Sequence, residues 1–322
     1  MKKHKSKITI VGSGLVGSTI AYALMLSGTV SEIVLLDANE ERAVGEAMDL
    51  GHAASFVKPV IIRHGEFADA VDSSIVVFTA GAKRKEGQSR LELQSQNIDI
   101  LRQTLPEVMS FAMDAVVIIV ANPVDILTYA AWKITGLPPE KIIGSGTVLD
   151  SSRFRYALAK EYEVDARNIH AQIIGEHGDT EVPVWSLANI SGVGIEEFHR
   201  QSSEDDFVKV KERIFDSVKQ AGAETIKRKG ATYYAVATAV KRIIESIVRD
   251  EHSVLTVSTL IDGMYGFGDV ALSLPAVVGA NGRKSFLELP LVEDEIKQLQ
   301  FSAQTLSENL KQLGLTSSSW TS

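Results

Sequence analysis

The sequence predicts an α/β fold: a doubly wound parallel sheet in a first domain, residues 1–144, followed by an α+β domain, residues 145–322. Three observations carry this expectation. Short β-branched runs alternate with longer helical patterns up to Gly144, as βαβ units require. The first run leads straight into a glycine-rich turn that opens the first helix. Beyond Gly144 the rhythm gives way to long helical patterns and β runs separated by turn residues.

Taken in order, the strand candidates of the first part are 8–11, 32–36, 60–62, 75–79, 115–120 and 141–143, six in all, the number in a full doubly wound sheet. Helical patterns fall between them at 16–27, 40–55, 91–111 and 126–135. The second part opens with a helix at 149–161 and a strand at 170–174, and continues with long helices at 205–229 and 232–250. Strands at 253–261, 270–278 and 285–289 follow, punctuated by Gly266, Gly268 and the Asn281-Gly282 pair. A last amphipathic helix at 292–313 precedes a Ser/Thr tail expected to fray. With no internal repeat and no low-complexity linker, the two halves are expected to pack closely.

Composition narrows the classes. A chain of 322 residues has room for about two domains with their own cores. With 45% hydrophobic and 23% charged residues it reads as globular, and with no cysteine it has neither disulfides nor a thiolate nucleophile or metal ligand. No metal site is expected. The net charge of -8 argues against nucleic acid and anionic membrane as partners, because both need a broad basic field. The basic start lacks a signal-type apolar stretch, and the longest apolar run, 115–121, is too short for a bilayer, which takes about 20 residues. A cytoplasmic protein is the expectation.

Gly12-Ser13-Gly14-Leu15-Val16-Gly17 fits G-x-G-x-x-G directly after the first strand. Gly12 allows the tight turn, Gly14 lets backbone approach a pyrophosphate, and Gly17 permits close helix packing, with the helix N-terminus at Leu15 and Val16 facing the anion. Asp37 ends the second strand twenty residues after Gly17, where a carboxylate accepts from a ribose diol and repels a 2′-phosphate. A Rossmann-type domain binding NAD rather than NADP is therefore expected, although the glycine turn alone would also suit a flavin or methyltransferase variant.

Three further segments carry chemistry. Gly175-Glu176-His177-Gly178-Asp179 places a histidine in a glycine-flanked turn after a buried-looking strand. Asp150 and Arg153 stand three apart, on one face of a helix. Ala80 to Arg90 leaves the fourth strand at its carboxyl end, with four cations and two glycines, as suits a lid closing on an anion. Asn122-Pro123-Val124-Asp125 leaves the fifth strand at the same edge.

Together these segments resemble the lactate/malate dehydrogenase family, from Gly12 through Glu176-His177-Gly178-Asp179 to Lys229-Gly230-Ala231-Thr232. Asn122 to Thr128 and Arg153-Phe154-Arg155 are most similar to the bacterial lactate dehydrogenase branch. The resemblance implies that His177 carries the proton and Asp150 fixes its tautomer. It also implies that Arg153 clamps the substrate carboxylate and that Arg90 polarises the carbonyl. Asn122 would bond near the reacting oxygen and the cofactor, and Thr232 would line the pocket. The partner is then a small 2-oxo or 2-hydroxy acid, and the assembly a homotetramer or dimer of dimers.

Arg84, six residues before Arg90, occupies the position where lactate-type lids typically carry Gln and malate-type lids Arg. An enclosed guanidinium over pyruvate would lack a partner, whereas oxaloacetate supplies one. A malate-preferring or mixed enzyme is thus expected, with L-lactate dehydrogenase as the alternative. Gln88 matches neither branch well. Arg155 points about 200° away from Arg153 around the helix. By resemblance, Arg155 and His170 correspond to the residues that bind fructose bisphosphate in allosteric bacterial relatives, so a sugar bisphosphate effector is expected.

Overall fold

The computed structural model describes residues 6–82 and 87–316. All six N-terminal strands form: β1 (Lys7–Val11), β2 (Glu32–Leu36), β3 (Ile61–His64), β4 (Ile75–Phe78), β5 (Val116–Ile119) and β6 (Ile142–Gly144). They pair in parallel in the order β3-β2-β1-β4-β5-β6, so the winding reverses between β1 and β4. Ligands of open α/β sheets bind at such a crevice, beyond the strands' carboxyl ends. Four helices connect them: α1 (Leu15–Ser27), α2 (Glu40–His52), α3 (Arg90–Phe111) and α4 (Val124–Thr135).

Alternate strand residues feed two separate cores. Ile8, Ile10, Ile33 and Leu35 face the layer holding α1, while Val34, Leu36, Val76 and Phe78 face the layer holding α3 and α4. This is the pattern of a sheet covered on both faces. Ser89 caps α3 reciprocally with Glu92, which fixes Arg90 as the first helical residue.

The C-terminal part contributes α5 (Val148–Glu161), β7 (Ile169–His170), β8 (Ile173–Ile174), β9 (Val182–Pro183), β10 (Asn189–Ile190), β11 (Val193–Gly194), α6 (Ile195–Ser202), α7 (Phe207–Lys229), α8 (Tyr234–Val248), β12 (Ser253–Ile261), β13 (Val270–Gly279), β14 (Gly282–Phe286) and α9 (Glu293–Gln312). The sheet does not stop at Gly144. β12 joins β6 antiparallel at Ser258 and Gly144, and β13 and β14 extend one nine-stranded sheet.

Two expectations need correction, and one helix is added. The strand expected at 170–174 is two strands in different sheets, because the carbonyls of Ala171 and Gln172 are taken by Arg155 and Val184 instead of a common neighbour. The last strand begins at Gly282, not at 285, because Gly279 pairs directly with Gly282 across a two-residue turn and Gly282 adopts a φ of 94°. Helix α6 was not anticipated; it has eight residues, a glycine at its N-cap and no side-chain cap.

Candidate active site

At the β1 carboxyl end, Gly12 has a φ of 101°, and a Cβ there would lie 2.7 Å from the Ala80 nitrogen. A Cβ on Gly17 would collide with the Gly12 carbonyl. In front of Gly14 the space is open. Helix α1 starts at Leu15 with no side-chain cap and no acid in its first turn, so its N-terminal N–H groups, including those of Leu15 and Val16, are free of a carboxylate. Asp37 accepts from the Ser13 N–H at 2.7 Å and the Asn39 N–H at 2.9 Å, which fixes its carboxylate beside the glycine turn. An uncapped helix end, open space before Gly14 and an oriented acid fit a dinucleotide.

The catalytic candidates converge on Asp150, in the first turn of α5 and buried. Its Oδ2 lies 2.5 Å from His177 Nδ1, and its Oδ1 accepts from Arg153 Nη1 at 2.8 Å. Burial would push the Asp150 carboxyl up, but the His177 and Arg153 cations hold it below the usual carboxylate range. Burial likewise lowers His177, and the Asp150 carboxylate overrides it, bringing the imidazole up to about 9. His177 is thus imidazolium at neutral pH, with Nδ1 donating to Asp150.

The turn that carries His177 is pinned from two sides. Its backbone N–H donates to Asp125 Oδ2 at 2.7 Å, and burial raises that carboxyl to about 7. Gly175 turns at a φ of 88°, where a Cβ would sit 2.8 Å from Ser302 Oγ, and that same oxygen accepts the Glu176 N–H at 2.8 Å. Thr180 donates to Glu176 Oε2 at 2.6 Å. Arg90 reaches the turn as well: its Nη1 donates to Asp179 at 3.0 Å and its Nη2 lies 3.8 Å from Glu176.

His177 and Arg153 are therefore each in direct contact with Asp150, and Arg90 adjoins the His177 turn through Glu176 and Asp179. Asn122 is exposed, with its carbonyl accepting from Asn97 at 2.7 Å across a cis Asn122–Pro123 bond. Thr232 is half-buried in the corner between α7 and α8, after Gly230. Neither side chain bonds to the His177 cluster among the described residues. Arg84 lies outside the described residues. Arg155 donates to the Ala171 carbonyl at 2.9 Å, next to the exposed His170, and burial lowers its pKa. Sequence reasoning gave no role to Asp125, Glu176 or Asp179; their position inside the two motifs was the available signal, but their contacts arise only in the fold. Among the described residues no cluster of three or more His, Asp or Glu could hold a metal ion, and no helix is long and apolar enough to cross a membrane.

Comparison with known proteins gives a consistent result. A family model for the lactate/malate dehydrogenase NAD-binding domain matches residues 6–144, and one for the lactate/malate dehydrogenase alpha/beta C-terminal domain matches residues 147–314. L-lactate dehydrogenase of Moorella thermoacetica is 53% identical over 96% of this chain and 98% of its own length. L-lactate dehydrogenase 1 of Clostridium acetobutylicum is 50% identical over 96% of this chain and 99% of its own length. Among solved structures, a lactate dehydrogenase from a Medee basin deep-sea metagenome library is 40% identical with a TM-score of 0.93, covering 96% of this chain and 99% of that one. The minor L-lactate dehydrogenase of Enterococcus mundtii is 37% identical with a TM-score of 0.93, covering 98% and 100%.

Proposed function

Because the chain belongs to the lactate/malate dehydrogenase family and carries its NAD-binding domain, we propose that it is an L-lactate dehydrogenase, interconverting pyruvate and L-lactate. The observation that carries the dehydrogenase chemistry is Asp150 held between His177 and Arg153. The relatives cited above, named for lactate, favour pyruvate over the oxaloacetate that Arg84 leads one to expect.

Gly12, Gly14, Gly17, the first turn of α1 and Asp37 would hold NAD, which when bound supplies or accepts the hydride exchanged with substrate C2. The protein's own groups handle the proton and the charge. His177, with Nδ1 donating to Asp150, uses Nε2 to protonate the ketone oxygen; in the reverse direction neutral Nε2 takes the hydroxyl proton. Arg153 spends one Nη on Asp150 and keeps donors of its planar fork for the substrate carboxylate. Arg90 would leave Asp179 to polarise the carbonyl. Both partners of that pair are largely exposed, 62% and 84%, so exchanging it costs little. Asn122 supplies a further donor near the reacting oxygen, and Thr232 closes the pocket wall.

The test is NADH oxidation with pyruvate and with oxaloacetate, in wild type and Arg84→Gln. Pyruvate should give the higher kcat/KM in wild type. A preference for oxaloacetate that Arg84→Gln reverses would replace this reading with the malate one, which rests on the Arg84 spacing. Loss of turnover with both acids would refute either. Arg155, a half-buried guanidinium beside His170, supports fructose bisphosphate as an effector at a homotetramer interface. Sedimentation and rate with and without fructose bisphosphate, in wild type and Arg155→Gln, check this; an unchanged rate and mass would remove it.

A further inference from the structure

One acid at the substrate end takes no part in the scheme above. Glu181 lies four residues beyond His177, just ahead of β9, and is only 7% exposed. Its Oε1 is buried without a hydrogen-bond partner, and among the described residues no ion pair joins it to a cation. The charged groups that face it are Asp150 and Arg153 of α5, His177 of the turn and Lys219 of α7. The two basic side chains are engaged elsewhere: Arg153 Nη1 on Asp150 at 2.8 Å and Lys219 Nζ on the Asp179 carbonyl at 3.0 Å.

An ionised carboxylate in such a place leaves Oε1 buried without a donor, and the neutral acid lowers that cost. Burial first, and the neighbouring Asp150 carboxylate second, raise the ionisation of Glu181 to about 8. Charge balance then follows. Over the three side chains joined at Asp150, with Lys219 held apart on the Asp179 carbonyl, a neutral Glu181 leaves one net positive charge, the complement of one substrate carboxylate. With Glu181 ionised, that surplus vanishes.

We propose that Glu181 is a specificity-determining residue of this site: as a neutral acid it leaves the cluster of Asp150, Arg153 and His177 with the charge that receives a 2-oxo-acid carboxylate, and on ionising it weakens that binding. The proposal rests on the 2-oxo-acid dehydrogenase reading. His177 titrates in a neighbouring pH range and is coupled to Glu181, so its own limb is read in each variant from the pH profile of pyruvate turnover and set apart from the difference in binding.

The experiment titrates oxamate, an unreactive 2-oxo-acid analogue, calorimetrically into the full-length protein with NADH at pH 6.5 and pH 9. Wild type is compared with Glu181→Gln, a neutral isostere, and Glu181→Met, an apolar replacement that carries the same arm if the amide variant fails to fold. At pH 6.5 the three Kd values should agree within about twofold. At pH 9 wild type should bind about fivefold or more weakly than the variants, since only it has gained a buried negative charge. A wild-type to variant ratio that stays the same at both pH values overturns the proposal. Binding without pyruvate turnover would count against the lactate assignment but not against Glu181, whereas no oxamate binding by any of the proteins overturns both.

Discussion

Asp150 concentrates the chemistry of the site in one side chain. It orients His177, raises its basicity and shares its second oxygen with Arg153. Replacing it by Asn removes the group that overrides burial, so the alkaline limb of pyruvate reduction should move from about 9 toward lower pH. The kcat/KM for pyruvate should drop about 10²–10⁴-fold, the usual weight of general acid catalysis. Wild-type reduction itself should fall above pH 9 while lactate oxidation rises, and a pH profile of both directions checks the sign. The same ion pair affects stability. The raised His177 pKa contributes in full below 6.5 and is lost as pH rises through about 9; the lowered Asp150 pKa contributes above 3.8 and is lost below it. The difference in Tm between wild type and Asp150→Asn should therefore be greatest near pH 5–6 and shrink above pH 9.

Elements place these residues through backbone requirements that side-chain chemistry alone does not reveal. Gly17 abuts the Gly12 carbonyl, so Gly17→Ala should destabilise by about 1–3 kcal/mol and abolish NADH binding, read by denaturant midpoint and fluorescence titration. Helix α9 reaches the catalytic turn through Ser302, whose Oγ accepts the Glu176 N–H and donates to Thr180 Oγ1, 3.0 Å away, while the Thr180 proton goes to Glu176. Ser302→Ala leaves the Glu176 N–H buried without an acceptor and should cost about 1–3 kcal/mol, with a several-fold loss of kcat/KM for pyruvate. The glycine turn, the six parallel strands and the Asp150–Arg153 pair were legible in the sequence, because period-2 runs and short motif spacing are local signals, whereas the joining of His177 to that pair was only what the family resemblance implied. The break at Ala171–Gln172, helix α6 and the anchoring of the turn on Ser302 were not, because each depends on a partner far along the chain. Glu181 falls in the same class: a lone acid ahead of Val182-Pro183-Val184 gives no sign in sequence of what surrounds it.

In the whole molecule, the division at Gly144 does not coincide with a division of the core. Ile8 and Ile10 of β1 share a cluster with Ala237, Val240 and Ile243 of α8, so the cofactor half is completed by a helix from the other half. A fragment of residues 1–144 should accordingly fail to show cooperative unfolding by circular dichroism, and recover it when co-expressed with residues 145–322. The acidic chain thus encloses a small cationic centre at the junction, where Arg153 and Arg90 meet the His177 turn. The continuous ladder from β6 into β12 has a mechanical consequence. The Gly144–Ser258 pair carries the sheet from the cofactor half into the half that bears His177, so their relative placement rests on backbone pairing and not on side chains alone. The backbone thus holds the end of β1 and the first turn of α5 on one platform.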